Sequence, residues 1–385
     1  MKILFTVSTY KPHVDGIQFV TTYLAEGLVQ RGHSVDLISY AFPNLTDKTE
    51  EDINGVHVTR RDVTTIHMRH IGDKEGYQNF ILENQKNYDV MINVGTQTAY
   101  TDWLLPIMDK VSVPKILHLH SVWDFNFHKI NLVSFKYMAS KLLGNVRWGG
   151  YFLRYKKAFR QYDAVLQLHK EEYGYKFFKK HYNIDSVVLE NAAEEMFFDI
   201  DNVKKENYIL NVSNYDKRKN QLACIKAFEK SNLPKDWKLV LVGSQDNSYY
   251  KMLKNYCETT LSPEKRDRVI LHVGLTRPQV ADLVKKSSIY MMTSLWEAFP
   301  ISLLEAMAAE VPFISSDVGI VKYLGGGIVA HSQDDYIKNL ERLATDEKYR
   351  KTLGEAGRKE ACEKYRISKK VDQLEKLIYS ITSKE

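Results

Sequence analysis

A chain of 385 residues is too long for one ordinary hydrophobic core and suits two domains. Its 44% hydrophobic and 26% charged residues are those of a soluble globular protein, and no apolar run approaches the roughly 18 residues of a spanning helix, which argues against a membrane-embedded class. A net charge of +6 permits attraction to phosphates or anionic lipid without identifying either, while three cysteines (Cys224, Cys257, Cys362) that form no Cys-x-x-Cys and cannot all pair point to a reducing cytoplasm.

In chain order, residues 2–8 (KILFTVS) read as a buried strand, too soon broken by polar residues to be a signal peptide. A polar turn with Pro12, Asp15 and Gly16 leads into a helix over 17–31 that stops at Gly32, and SVDLIS is the next strand. This β-loop-α-β opening predicts a doubly wound α/β sheet, whose ligands collect at the carboxyl ends of the strands. Further strands are expected at 56–60, 89–94 and 115–120. The last, KILHLH, sets His118 and His120 on one face with His120 at the carboxyl end, and no further ligands accompany the pair to make a metal site.

From 132 to 182 the reading is helical, basic and aromatic: between Lys136 and Lys180, 11 Lys and Arg stand against Asp163, Glu171 and Glu172. Cations with interleaved Trp, Tyr and Phe suit an anionic membrane surface, the rings entering the headgroup zone. A plain helix with a buried aromatic face satisfies the same pattern, and nucleic acid is set aside as a partner. DAVLQLH (163–169) and SVVLENA (186–192) read as the last strands of the first half. A polar, acidic linker over 196–206 contains Asp199-Ile200-Asp201, which without flanking strands is read as chance rather than as a metal motif.

The second half restarts with a strand at 208–214, the turn DKRKN, a helix QLACIKAFEKS, and strands at 238–243, ending in Gly243, and 268–274. Arg277 and Pro278 open the next helix. Then Tyr290 to Gly319 predicts a strand ending near Thr293, a loop with Glu297, a helix over about 300–309 with Pro300 in its first turn, and a strand over 312–316. The amides of Ile301, Ser302 and Leu303 are expected free at the helix mouth, where partial positive charge and unpaired donors attract phosphate. Glu297 lies just before that helix and Glu305 about one turn inside it, so both can face one crevice. Two acids around an amide nest suit a sugar nucleotide. Three amphipathic helices, about 333–344, 346–364 and 367–381, close the chain.

S-x-x-E-A-F-P-x-x-L-L-E-A-M-A-A, followed by V-P and S-D-V-G, resembles the donor-binding signature of the GT4 family of retaining glycosyltransferases, which has the GT-B fold. The resemblance covers nearly the whole chain. It implies two Rossmann-like doubly wound domains facing a central cleft: 1–195 for the acceptor, with a C-terminal helix (366–385) crossing back, and 207–365 for the nucleotide sugar. It implies transfer from a nucleoside-diphosphate sugar, UDP favoured, to a glycan or lipid-linked acceptor in cell-surface polysaccharide or glycoconjugate synthesis. No cofactor and no metal are expected, and the location implied is cytoplasmic, peripheral on the inner face of the cell membrane.

Carried over by position, Glu305 holds the ribose hydroxyls, and Glu297 with the amides of Phe299, Pro300, Ile301 and Ser302 holds sugar hydroxyls and phosphate. Lys219 stabilises the departing diphosphate. Ser213-Asn214 replaces the family's Gly-Arg, and Arg218 is a candidate for the lost charge. Gly243, after its strand, either admits the nucleotide or simply turns the chain, Gly16 matches the second glycine of the family's first loop, and His120 orients the sugar. Tyr323 stands at the acid position of a Gly-Gly-x-x-Glu motif reduced to Gly319. The same donor pocket would serve a sugar-nucleotide epimerase or phosphorylase, and a non-catalytic interaction protein of this fold is the remaining alternative.

Overall fold

The computed structural model describes residues 1–67, 69–127 and 135–383, so the first residues of the basic stretch, 132–134, lie outside the described residues. The central strands are apolar on both faces, as parallel strands covered by helices on both sides must be. The chain divides into two compact units, 1–190 with 370–385, and 191–369.

The first unit runs β1 (Lys2–Thr6), α1 (Gly16–Gln30), β2 (Ser34–Tyr40), β3 (Glu50–Ile53), β4 (Val56–Arg61), β5 (Val63–Ile66), β6 (Arg69–Gly72), α2 (Lys74–Asn84), β7 (Val90–Val94), α3 (Ala99–Leu104), β8 (Lys115–His118), α4 (Phe135–Arg154), α5 (Lys156–Phe159), β9 (Ala164–Gln167), α6 (Tyr173–Tyr182) and β10 (Val187–Val188). Eight strands form one sheet in the order β10-β9-β8-β7-β1-β2-β4-β3. All its pairs are parallel except β3 with β4. The sequence reading lacks β3 and the β5–β6 hairpin, since EEDI and VTTI are short and largely exposed and carry no burial pattern. α1 starts one residue earlier than read: Asp15 caps it by accepting the Gln18 N–H at 2.7 Å, and Gly32 beyond its end has φ +87°.

For the basic aromatic stretch the structure agrees with the reading of a helix with a buried aromatic face. Trp148, Phe152, Phe159, Phe177, Phe178 and Tyr182 belong to the core of the first unit, with Leu117 and Val165 of the sheet. The rings expected in a headgroup layer are thus interior, because three helices of one sheet face need large apolar side chains to fill the space above it.

The second unit runs β11 (Tyr208–Val212), α7 (Gln221–Lys230), β12 (Lys238–Gly243), α8 (Ser248–Thr260), α9 (Pro263–Arg266), β13 (Val269–Val273), α10 (Arg277–Lys286), β14 (Ile289–Met292), α11 (Ile301–Ala308), β15 (Phe313–Ser316), β16 (Gly327–Ala330), α12 (Gln333–Thr345) and α13 (Glu347–Lys364). Its six parallel strands take the order β13-β12-β11-β14-β15-β16, that of the dinucleotide-binding doubly wound sheet. Strand order reverses between β11 and β14, which leaves a crevice at their carboxyl ends.

The last helix, α14 (Ile367–Thr382), belongs almost wholly to the first unit. Buried Lys370 donates to Glu190 at 2.9 Å, Glu375 pairs with Arg31 at 2.9 Å and His33 at 2.8 Å, and Asp372 also pairs with Arg31. Gly27 of α1 lies against Val371, where a Cβ would overlap.

Candidate active site

At the strand-order reversal of the second unit, the loop after β11 meets the loop after β14. Thr293 Oγ1 donates to the Asn220 carbonyl at 2.8 Å and the Leu295 N–H to the Arg218 carbonyl at 2.8 Å. The DKRKN segment is a tight turn: the N–H groups of Lys219 and Asn220 donate to the Asp216 carbonyl at 3.0 and 3.2 Å, and the Asp216 carboxylate accepts the Arg218 N–H at 2.7 Å. The turn sets Lys219 Nζ 2.6 Å from Glu297 Oε1. Arg218 lies 3.7 Å from Glu297 Oε2, donates to the Trp296 carbonyl at 3.0 Å and covers the Trp296 ring. Two cations thus surround one carboxylate that is 9% exposed, leaving a local positive excess at the carboxyl end of the sheet.

Gly319 holds this loop in place. Its φ is +54°, and a Cβ would overlap the carbonyls of Glu297 and Ala298, so the chain passes directly under Glu297 only because no side chain is present.

Glu305 is buried inside α11, 3% exposed, and has its own cation. Arg277 Nη2 donates to its Oε1, Nη1 lies 3.5 Å from Oε2, and Arg277 Nε donates to Glu194 at 2.5 Å, the guanidinium lying over the Phe197 ring. Burial pushes the Glu305 carboxyl up, and the guanidinium opposes this. The sequence reading has Arg277 only as a helix opener and omits Glu194.

At the mouth of α11 the expectation needs correcting. Pro300 is the N-cap, with φ −73° and ψ 113°, rather than a first-turn residue, and as a proline it offers no N–H. Its carbonyl accepts the Leu303 N–H at 3.2 Å, so the Leu303 amide is not free. Ile301 and Ser302 carry the first two helical N–H groups, which helix geometry leaves without an intrahelical acceptor. Phe299 is buried, its carbonyl accepting from Asn191 at 2.9 Å. Gly243 closes β12 where a Cβ would overlap the Tyr215 ring, so that packing alone requires glycine.

His120 and Gly16 belong to the first unit. Gly16 opens α1 with nothing near the place of a Cβ. His120 follows β8, its ring centroid 4.6 Å from that of His118, and the Nε2 atoms of both are buried without a hydrogen-bond partner. Burial pushes His120 down to about 4, with Asp15 opposing, and His118 well below its ordinary value, with His120 adding to the effect. Both are neutral near pH 7. The loops after β7 and β9 add Thr96 Oγ1, Gln97 Nε2, both polar atoms of the Gln167 side chain and Glu172 Oε2, also buried without partners. Burial pushes Glu172 up to about 8, opposed by a backbone hydrogen bond at Leu168. None of these four residues stands out in the sequence.

Lys219, Arg218 and Glu297 therefore converge, and Glu305 shares a loop and helix with Phe299 to Ser302. Residues 192–360 match the family model for glycosyl transferases group 1. A relative, the N-acetyl-alpha-D-glucosaminyl L-malate synthase of Bacillus anthracis, is 23% identical over 99% of this chain and 98% of its own length. The Escherichia coli UDP-Gal:alpha-D-GlcNAc-diphosphoundecaprenol alpha-1,3-galactosyltransferase is 29% identical over 38% of each chain. Among solved structures, Anabaena HepE in complex with UDP superposes with a TM-score of 0.72 at 15% identity, covering 99% of this chain and 100% of that one. The chain has the GT-B fold, and its residues 192–360 match the domain of a transferase.

Proposed function

We propose that this protein is a retaining, metal-independent glycosyltransferase of the GT4 type, moving a sugar from a UDP-sugar to a glycan or lipid-linked acceptor in cell-surface polysaccharide or glycoconjugate synthesis, in the cytoplasm at the inner face of the cell membrane. The observation that carries the reading is the cluster of Lys219, Arg218 and Glu297 at the strand-order reversal. UDP is supported by its mention in the names of the Escherichia coli relative and the Anabaena structure, and a lipid-linked acceptor by the former.

In the reaction the bond from the anomeric carbon to the diphosphate oxygen breaks, its electron pair leaving with the diphosphate, as the acceptor hydroxyl oxygen bonds to that carbon and its proton passes to the departing diphosphate oxygen on the same face. Negative charge develops on the diphosphate before the proton arrives. Lys219 and Arg218 would stabilise that charge at fixed positions, as a divalent cation does elsewhere, helped by the Ile301 and Ser302 amides. Glu297 orients Lys219 and accepts sugar hydroxyls, Glu305 accepts ribose hydroxyls, and neutral His120 serves as a hydrogen-bonding partner of the sugar. Glu297 is engaged by Lys219 and Glu305 by Arg277, so neither is offered as a nucleophile. This favours same-face attack led by departure of the leaving group.

The test is binding and slow hydrolysis of UDP-, GDP- and ADP-sugars, with and without EDTA, and the anomeric configuration of the released sugar by NMR. Saturable binding of UDP-sugar, release undiminished by EDTA and a retained anomer are expected. Silence across the panel from folded protein would overturn the reading.

A further inference from the structure

The core takes most of the aromatic rings of the basic stretch and leaves an unexpected surface behind. Along α4, Phe135, Leu142, Val146 and Leu153 are 79%, 50%, 78% and 74% exposed. At about 3.6 residues per turn these four fall within about 40° of one another, one apolar line along the helix. Lys136, Arg147 and Arg154 flank that line on one side, about 80° to 100° round from its near edge at Val146. The opposite face is fixed, Trp148 and Phe152 lying in the core of the first unit, so the apolar line stays turned outward. The helix contains no Asp or Glu, and Lys156 and Lys157 follow at once in α5.

We propose that α4 is the face by which this protein lies on an anionic lipid bilayer, the aliphatic line entering the boundary between headgroups and acyl chains and the bordering cations meeting lipid phosphates. The proposal deepens the membrane placement given above and rests on it, but the surface it names is mostly aliphatic, with Phe135 its single ring, where the sequence reading has rings throughout. Charge decides the occupant. An acid-free helix with cations along one border complements an anionic surface, whereas two copies of the chain meeting line to line across a twofold axis would bring the same cations together. Exposed aliphatic side chains in such number on one helix are the amphipathic pattern that binds interfaces by burying a shallow apolar strip.

Sedimentation of the full-length protein with vesicles of phosphatidylcholine alone, or mixed with phosphatidylglycerol, tests this. The wild type is expected to partition at least about tenfold more strongly to the anionic vesicles, and Leu142→Ser, Val146→Ser and Leu153→Ser together to lower that partition by about tenfold or more. Arg147→Gln with Arg154→Gln should lower it by about fivefold per cation, with a shallower dependence on salt. All these positions are exposed, and Leu153→Asp alone serves should the triple variant not fold. UDP-sugar binding by the triple variant in free solution is expected to match the wild type, which separates failure of this proposal from failure of the donor reading. Wild-type protein that ignores anionic vesicles, undiminished binding by the apolar variants, or a dimer in sedimentation velocity that those variants dissociate, would each overturn it.

Discussion

The carboxyl edges of the two sheets are built to opposite electrostatic plans. In the second unit the two glutamates of the site and Glu194 carry partners of opposite sign, Lys219 and Arg218 on Glu297, Arg277 on Glu305 and Glu194. In the first unit the buried polar groups without partners at the edge are uncharged near pH 7, with Asp15 the charged neighbour of His120: His118 and His120 by lowered pKa values and Glu172 by a raised one, with Gln97, Thr96 and Gln167 neutral by chemistry. A charged edge binds an anion by exchanging one partner for another, at little desolvation cost because the ions are already paired. A neutral edge of unpartnered donors and acceptors binds hydroxyls, since each buried polar atom gains a hydrogen bond it lacked. One architecture, used twice, thus offers one place suited to a diphosphate and another suited to a sugar.

Four experiments would break or sharpen that contrast. Lys219→Ala should have the largest effect, a fall in kcat of about 10² to 10³, as for loss of one fixed donor to a developing charge; initial rates within a few fold of wild type would show that the charged edge does not act on the leaving group. Next comes the pH dependence of stability, read from urea midpoints at acid, neutral and mildly alkaline pH. For His120 the folded pKa of about 4 lies below the unfolded value, so the unfolded chain takes up the proton first; stability present above about 6.5 is lost as pH falls toward 4, by up to about 3 kcal/mol. For Glu172 the folded pKa of about 8 lies above the unfolded value, so stability is lost as pH rises from about 4.5 to 8, by up to about 5 kcal/mol. His120→Gln should flatten the acid limb and Glu172→Gln the alkaline one, and identical profiles for wild type and variants would mean that the edge is solvated and charged after all.

A smaller effect is expected of Glu305→Ala, about 2 kcal/mol in UDP affinity by calorimetry, or roughly 30-fold. Unchanged affinity would remove its ribose role. The least is expected of Gly243→Ala, about 1 to 2 kcal/mol of stability from displacing the Tyr215 ring, with donor affinity following only if that ring also borders the nucleotide.

The two edges were also unequally legible in the sequence. Lys219 and Glu297 were both marked, because each sits in a short polar loop after a buried apolar strand, and the parallel pairing of β11 with β14 then brings those loops together. Arg277 and Glu305 were not joined, since nothing local relates residues on two helices that become neighbours only through the order of the sheet. The α11 boundary was misplaced by one residue because proline fixes φ equally well for an N-cap and a first-turn residue. Gln167 and Glu172 were invisible for a different reason: their distinction is burial without a partner, a property of the folded chain. The aromatic pattern of α4 and α6 gave helices correctly but not which side faces inward, and residues of both sides were apolar enough to be core.

The return of α14 to the first unit has a consequence for how the chain is made. Residues 191–369 form a continuous insertion between two pieces of that unit, so a ribosome delivers most of the first unit early and its final helix late. Until residues 370–382 emerge, the groove above Gly27 stays uncovered, Arg31 and His33 lack their carboxylate partners, and Glu190 lacks the buried ammonium of Lys370. The half translated first is therefore the half completed last, and a premature stop near residue 369 would leave the second unit whole while harming the one already synthesised.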